Sequence, residues 1–257
     1  MPINQQRGGR RWVPGRRAVA RYGVRVSLLM AAIALVAIPF SLLTIQVVQA
    51  GPLTRADRGI AENLNDHVRG HRFVVDGLQV LSFLGKPVWL FAMVGIPVVW
   101  LVVRGSRKLA LFLSITAIGG SIIDSVVKLA VHRSRPALSH AVAHAFGKSF
   151  PSGHAMSSTV CYVALLLVFL PSVPHRRRRL TIVAVVVLLV AIGASRLALG
   201  VHFLSDVLGG WILGAAWLLA SVAAFEVWRE ERGRRRTEPL EEGIEPEEAP
   251  EAPGADA

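Results

Sequence analysis

Apolar residues occur along this chain in long stretches, separated by shorter segments that carry most of the charge. Six stretches contain 17 or more residues, and about 20 helical residues cross a bilayer core about 30 Å thick. The pattern predicts an all-α fold, a polytopic membrane protein built as a bundle of six transmembrane helices. The predicted spans are Val26–Val48, Pro87–Val103, Leu109–Ala130, His154–Leu170, Leu180–Leu199 and Phe203–Phe225.

The segment between the first two spans has a different pattern. Pro52–Phe83 mixes charged residues with apolar ones at helical spacing, which favours one or two short helices lying on the membrane surface. The first span ends in V-Q-A, which resembles a signal-peptide cleavage site, but its 23 residues are too many for the apolar part of a signal peptide. We therefore interpret this span as an uncleaved anchor.

The composition agrees with a membrane protein, since 53% of the 257 residues are hydrophobic and the mean hydropathy is +0.48. The single cysteine, Cys161, lies in an apolar stretch and is expected to be a small core residue. The net charge of +12 says little about a partner, because 19 of the 29 basic residues lie in four segments beside the predicted spans. This placement indicates membrane orientation, and no nucleic-acid partner is expected.

These basic segments determine the predicted topology. They are the N-terminal segment with seven arginines, R-G-S-R-K after the second span, H-R-R-R-R after the fourth and W-R-E-E-R-G-R-R-R after the sixth. Because positive residues favour the cytoplasmic side, both termini are predicted to be cytoplasmic, and segments 50–86, 131–153 and 196–202 to lie outside the cell membrane. The predicted domains are a basic segment, 1–25, a membrane domain, 26–225, and a charged, mostly disordered tail, 226–257.

Six charged or titratable residues depart from this pattern because they lie at the extracytoplasmic ends of spans. Three separate loops carry them, so they are predicted to converge at one membrane face, which is where we expect the active site. The six residues are Lys128, Arg135, His154, Arg196, His202 and Asp206.

The three cations of this set suit an anion such as phosphate. An arginine fork matches phosphate oxygens in pairs, and a lysine adds a point charge. Ser152 and Gly153 stand directly before an apolar stretch, a pattern typical of a helix N-terminus. The free N–H groups of such a terminus also attract anions.

The histidines add the means for chemistry. Asp206 follows His202 by four residues and shares its helical face, so the carboxylate could fix one imidazole nitrogen and leave the other free to attack. His154 could give a proton to a departing oxygen. Taken singly, each residue has a structural explanation, and Asp124 could be only the ion-pair partner of Lys128. The joint pattern favours a site.

Three motifs resemble those of the type 2 phosphatidic acid phosphatase (PAP2) superfamily. K-L-A-V-H-R-S-R-P, at Lys128–Pro136, is similar to the family's K-x6-R-P, and P-S-G-H, at Pro151–His154, to its second motif. The third, S-R-L-A-L-G-V-H-F-L-S-D at Ser195–Asp206, is similar to S-R-x5-H-x3-D. All eleven specified positions match, and the resemblance covers roughly residues 55–225. It implies a six-helix membrane phosphatase that needs no metal and no other cofactor.

The resemblance also implies a role for each matched residue. His202 would be the nucleophile that forms a phosphohistidine, and Asp206 would orient it. His154 would protonate the leaving oxygen and then activate water. The residues that would bind the phosphate are Lys128, Arg135, Ser152, Gly153 and Arg196.

The expected substrate is a phosphorylated lipid in the bilayer, such as phosphatidic acid, phosphatidylglycerol phosphate or undecaprenyl diphosphate. A lipid phosphotransferase would use the same phosphohistidine with an acceptor other than water. A vanadate-dependent haloperoxidase has a similar site but is disfavoured, because those enzymes are typically soluble. A phospholipid-binding or transport protein without catalysis is the remaining alternative.

Some features do not distinguish these alternatives. The loop Ala137–Ser149 is expected to line the entrance, where His140, His144 and Lys148 either touch a second phosphate or are exposed without contact. His132 and Arg133 are similarly undecided. The glycines between Gly209 and Gly214 permit close helix packing within or between chains, so the oligomeric state stays open.

Overall fold

The computed structural model describes residues 36–138, 142–143, 145–232, 237 and 239–245, and within these ranges all regular structure is helical. The predicted segment 1–25 and the start of the first span therefore lie outside the described residues. A 3-10 turn, Leu170–Ser172, follows α6. The helices are α1 Val36–Val48, α2 Pro52–Val68, α3 Arg72–Leu84, α4 Pro87–Val103, α5 Arg107–Val131, α6 Gly153–Phe169, α7 His175–Ala198, α8 Leu204–Glu231 and α9 Pro239–Glu242.

Four of the described helices are long and apolar enough to cross a membrane on their own: α5, α6 with its 3-10 turn, α7 and α8. Two further spans are possible where shorter helices join at a bend, α1 with α2 at 80° and α3 with α4 at 46°. The predicted all-α membrane fold is confirmed. The bends lie beside prolines, since α2 and α4 each begin with a proline in the first turn, where the missing N–H breaks no helix hydrogen bond.

Large apolar side chains are exposed along the outer faces of the helices. Val88, Ile96, Val103, Leu129 and Leu180 are all more than 60% exposed. A continuous apolar surface of this kind is unfavourable in water and favourable against lipid. The exposed belt is therefore the surface that faces the bilayer.

The core lies where α4, α5, α6 and α8 meet. Its buried side chains include Leu90 and Leu101 of α4, Phe112 of α5, Leu167 of α6 and Phe225 of α8. The rings of Phe112 and Phe225 meet edge to face, with centroids 5.0 Å apart, a favoured aromatic geometry. These contacts fix the positions of the helix ends that carry the predicted site residues.

Helices α6 and α8 approach each other closely, and glycine makes this possible. A Cβ on Gly210 would lie 2.7 Å from the Ser152 carbonyl oxygen, and one on Gly214 would lie 3.0 Å from the Met156 carbonyl oxygen. Small residues let membrane helices pack backbone to backbone. The glycines of the G-G-x-x-x-G sequence thus pack within the chain, against the helix that begins with His154.

The last long helix continues beyond its predicted end at Phe225. It ends at Glu231, and Arg229 in its final turn donates a 2.6 Å hydrogen bond to the buried carboxylate of Glu245. Residues 239–245, inside the segment predicted to be a mostly disordered tail, contain the short helix α9 and the buried Ile244. Here the chain packs against the end of the bundle opposite to the site.

Candidate active site

Backbone hydrogen bonds tie the three motif segments together at one end of the bundle, which we call the site end. The Ser149 N–H donates to the Arg133 carbonyl at 2.9 Å, and the Ser152 N–H donates to the Asp206 carbonyl at 2.8 Å. The first bond joins the first two motifs, and the second joins the last two. The side chains of the three motifs therefore have fixed relative positions.

A cavity of about 290 Å³ opens between these segments. Six of the eight predicted site residues line it, and the other two are fully buried next to lining residues: Ser152 precedes Gly153 in the chain, and Asp206 contacts His202. The three loops thus meet at this cavity. The lining residues from the predicted set are Lys128, Arg135, Gly153, His154, Arg196 and His202.

Two arginines in the cavity are held by acceptors of the protein. Arg135 donates from Nη1 to the Val201 carbonyl at 2.9 Å and from Nε to the Phe146 and Gly147 carbonyls at 3.2 Å. Burial lowers the pKa of the Arg135 guanidinium, and the charge of Asp206 opposes that shift. Arg196 donates from Nη1 to the buried Ser82 hydroxyl of α3. Both guanidiniums are thus oriented before any anion arrives.

The third cation approaches the start of α6 closely. The Lys128 ammonium forms a 2.5 Å ion pair with Asp124, one turn earlier on α5, and a Cβ on Gly153 would lie 2.6 Å from Lys128 Nζ. A larger residue at this position would displace the ammonium from the helix N-terminus. The expected ion pair with Asp124 is present, and Asp124 itself lines the cavity.

The imidazole ring of His202 is buried, with Nε2 facing the cavity and Nδ1 facing Asp206. Its Nδ1 lies 3.3 Å from Asp206 Oδ2, and its Nε2 lies 3.0 Å from Arg135 Nη1 in the cavity. Burial lowers the pKa of the His202 imidazole to about 4, against the opposing effect of Asp206. A neutral ring with Nδ1 beside a carboxylate keeps a lone pair at Nε2, so this nitrogen can act as a nucleophile.

The start of α6 presents polar atoms that have no hydrogen-bond partner among the described residues. They are the Ser152 hydroxyl and His154 Nε2, together with Nε of Arg196 across the cavity. Ser152 is the N-cap residue of α6, but its hydroxyl makes no cap bond. Buried polar groups are nearly always paired, so these atoms are suited to the oxygens of a ligand.

The site contains residues that sequence reasoning missed. Arg133, left undecided, donates to Asp206 Oδ1 at 2.5 Å and to Asp57 Oδ2 at 2.8 Å. Ser82, the acceptor for Arg196, lies on α3. The position of Arg133 inside the first motif is a sequence signal for a role in the site. Asp57 and Ser82 lie in a segment of mixed charged and apolar residues and carry no such signal.

Part of the loop Ala137–Ser149 lies at the mouth of the cavity. Ala145 and Phe146 line it, and Phe146 is 98% exposed. Lys148 is exposed and does not line the cavity, and His140 and His144 lie outside the described residues. His132 is exposed at the end of α5.

Together, the fold and this site define a class: helical membrane proteins with a cage of cations and two histidines at one end of the bundle. The sequence model of the PAP2 superfamily matches residues 107–230. This segment contains all three motifs, so the chain is similar to the PAP2 superfamily over this part of its length.

Several known proteins are similar to the chain. Phosphatidylglycerophosphatase B of Bacillus subtilis is 41% identical over 96 residues, which is 36% of this chain and 46% of that protein. Undecaprenyl-diphosphatase BcrC of the same organism is 32% identical over 112 residues, 42% of this chain and 53% of that protein. Lipid A 1-phosphatase of Rhizobium johnstonii is 28% identical over 123 residues, 44% and 47% of the two chains. The similarity thus spans about half the length of each relative.

A solved structure shares the fold. The crystal structure of a transmembrane PAP2-type phosphatidylglycerolphosphate phosphatase from Bacillus subtilis superposes with a TM-score of 0.65. It is 24% identical in sequence, and the match covers 77% of this chain and 97% of that one. At this identity the match supports the arrangement of the helices.

Proposed function

We propose that this protein is a lipid phosphatase that hydrolyses a phosphomonoester or diphosphate of a membrane lipid through a phosphohistidine at His202. One observation carries the proposal: His202 Nε2 faces the cavity beside Arg135, while its Nδ1 faces Asp206. A neutral imidazole held in this way is a nucleophile aimed into a cage of positive charge.

In the first step, His202 Nε2 attacks the phosphorus of the lipid phosphate. The Nε2–phosphorus bond forms as the bond between phosphorus and the leaving oxygen breaks, and His154 gives a proton to that oxygen. Asp206 stabilises the positive charge that the phosphorylated ring acquires. In the second step His154 takes a proton from water, the water oxygen attacks phosphorus, and phosphate leaves His202.

The cations act on the charge of the transferring group. Lys128, Arg135 and Arg196 surround the cavity, and Arg196 is oriented by Ser82. Phosphoryl transfer depends mainly on positioning and on stabilising the equatorial oxygens. The Ser152 hydroxyl and the Gly153 N–H, at the start of α6, complete the proposed phosphate-binding set.

The remainder of the cavity wall supports a lipid substrate. Leu90 and Phe91 of α4 and Ala117 of α5 line the same cavity as the cations. Phe91 is also half exposed on the apolar outer face. A phosphate at the polar end would therefore leave its alkyl chains beside apolar side chains. The names of the three relatives each refer to a phosphorylated lipid, which supports the same class.

The test is phosphate release by detergent-purified protein in the presence of EDTA. Phosphatidic acid, phosphatidylglycerol phosphate and undecaprenyl diphosphate are compared for the wild type, His202→Asn and His132→Asn. His132 is an exposed histidine at the same end of the bundle, so its variant is the matched control. We expect release from at least one lipid, a loss of about 1,000-fold or more in His202→Asn, and little change in His132→Asn.

Two results would contradict the proposal. Equal rates in wild type and His202→Asn would remove the histidine from the chemistry. Phosphohistidine formation without phosphate release, followed by transfer when a sugar or lipid alcohol is added, would show a phosphotransferase in place of a phosphatase. Acid-labile labelling of His202 by substrate labelled in the phosphate distinguishes the two results.

The charge distribution supports one orientation for this activity. The basic segments beside the spans lie at the end opposite to the site, at Arg104–Lys108, His175–Arg179 and Arg229. The positive-inside rule then places both termini in the cytoplasm and the cavity at the extracytoplasmic face of the cell membrane. The proposed substrate is accordingly a lipid of the outer leaflet.

A further inference from the structure

A second pair of charged residues lies directly behind the histidine and the carboxylate. The Arg133 guanidinium donates from Nη1 to Asp206 Oδ1 at 2.5 Å and from Nη2 to Asp57 Oδ2 at 2.8 Å. Its plane also packs over the Phe203 ring, with 4.3 Å from Cζ to the ring centroid. Arg133 therefore connects a carboxylate of α2 to the carboxylate that faces His202.

This connection is shielded from water. The side chains of Asp57 and Asp206 are 0% exposed, and that of Arg133 is 10% exposed. Ion pairs at exposed sites contribute little, whereas a buried charge without its partner is strongly unfavourable. Each of the three groups consequently depends on the others for its charged state.

Asp57 also holds the start of α8. Its Oδ1 accepts a 3.0 Å hydrogen bond from the Ser205 N–H, and its Oδ2 accepts one from the Ser205 hydroxyl. Ser205 is the neighbour of Asp206, so the α2 carboxylate satisfies a first-turn N–H of the helix that carries Asp206. The buried face of α2 carries two polar residues, Asp57 and Asn65, with the small Ala61 between them.

We propose that Arg133 and Asp57 are positioning residues for the reaction at His202. Arg133 holds Oδ1 of Asp206 so that Oδ2 stays at Nδ1 of His202, and Asp57 holds Arg133. This inference rests on the proposed phosphohistidine mechanism. Neither residue lines the cavity, so both act through Asp206 and do not touch the substrate.

The chemistry of the phosphohistidine explains why such support is useful. When Nε2 bonds to phosphorus, the ring keeps its Nδ1 proton and becomes positively charged. The Asp206 carboxylate must then remain ionised and in place, and donors on its other oxygen favour that state. Asp57 compensates the positive charge of Arg133. Arg133 can then hold Asp206 in place while the negative charge of Asp206 still stabilises the phosphorylated ring of His202.

The test compares variants of the buried ion pair with variants of an exposed ion pair. Arg133→Met, Arg133→Lys and Asp57→Asn are measured beside Arg69→Met and Asp66→Asn, which alter an exposed ion pair on and next to the same helix, α2. We expect kcat to fall about 100-fold in Arg133→Met and about 10-fold in Asp57→Asn, with KM changed less than threefold. The control variants should keep the wild-type kcat.

The double variant Arg133→Met/Asp57→Asn tests whether the two residues act as one unit. If Asp57 acts through Arg133, the double variant loses no more activity than Arg133→Met alone. Losses that multiply would overturn the proposed coupling. Arg133→Lys should recover part of kcat, because a lysine keeps the charge but lacks the fork that reaches both carboxylates.

A second readout does not depend on turnover. In protein labelled with ¹⁵N-histidine, the Nδ1–H resonance of His202 reports its hydrogen bond to Asp206. We expect this signal to be lost or shifted in Arg133→Met and unchanged in Arg69→Met. An unchanged His202 resonance in Arg133→Met would overturn the inference. A wild-type protein that shows the resonance and its loss in the variant, but no phosphatase activity, would overturn the proposed function alone.

Discussion

His202 is buried where a protonated imidazole is unfavourable. Burial lowers its pKa to about 4, from 6.5 in an ordinary histidine. Between these two pH values a free histidine is largely protonated, but His202 in the folded protein keeps its lone pair. The unfolded chain binds this proton more readily, so protonation destabilises the folded state as the pH falls from 6.5 towards 4.

The titration of His202 can be measured directly. We expect its ¹⁵N resonances in the wild-type protein, assigned by their absence in His202→Asn, to change with a midpoint near pH 4. A midpoint for His202 near 6.5 would contradict the buried, neutral ring described above.

Ser82 offers a second test at this scale, because it orients Arg196 from outside the motifs. Removing an acceptor from a buried charged donor costs about 1.5–3 kcal/mol. We expect Ser82→Ala to weaken inhibition by inorganic phosphate about tenfold or more. Ser125→Ala removes an exposed serine of α5 and should leave the inhibition constant unchanged; an equal effect in both variants would count against a specific role.

Residue types and their spacing predicted six residues that line the cavity, but not the support that Asp57 gives to Arg133. Lys128, Arg135 and His154 carry chemistry that is legible in the sequence. Asp57 does not, because it belongs to a helix whose charges look like those of any surface segment. Its partner Arg133 lies 76 positions away, and only the tertiary fold shows that the two meet.

At the level of helices, the contact between α6 and α8 controls the geometry of the site. A Cβ on Gly210 would collide with the backbone around Ser152 and Met156. We expect Gly210→Ala to lower the melting temperature in detergent by several degrees and to reduce activity, because α8 must shift relative to His154. Gly95→Ala on α4 meets nothing within 4 Å and should be neutral or slightly stabilising, since alanine favours a helix over glycine.

Hydrophobic stretches predicted the long helices well and the connecting segment poorly. Amphipathic spacing in residues 52–83 indicated helices on the membrane surface, and two helices, α2 and α3, do form there. Their polar residues are what the pattern did not explain. Asp57 and Asn65 are buried against the site end, with the Asn65 amide 3.4 Å from the Ala198 carbonyl, so α2 packs on protein through a polar face.

For the whole molecule, the proposed orientation can be tested with single cysteines. Gly70→Cys lies in an exposed turn at the site end, and Arg104→Cys lies at the opposite end. In a Cys161→Ser background, a membrane-impermeant maleimide added to intact cells should label residue 70 alone. Both should react after lysis. Labelling of residue 104 in intact cells would reverse the topology.

The opposite end of the bundle depends on a buried ion pair. Arg229 and Glu245 are both 0% exposed at their side chains, and Lys108 lies 3.9 Å from the same carboxylate oxygen. Loss of one partner of a buried pair costs about 3–5 kcal/mol. We expect Glu245→Gln to lower the melting temperature clearly, whereas the exposed Glu62→Gln should not; equal melting temperatures would show that residues 239–245 do not stabilise the bundle.

The apolar part of the cavity wall, at Leu90, Phe91 and Ala117, affects how the substrate reaches the site. A lipid that reaches the cations along this wall arrives by two-dimensional diffusion within its leaflet. Its relevant concentration is then a mole fraction among other lipids, not an amount per volume of buffer. Diluting the substrate with inert lipid should slow turnover even when its total amount is unchanged. The dephosphorylated lipid stays in the same leaflet and competes for the wall, while the released phosphate is lost to water.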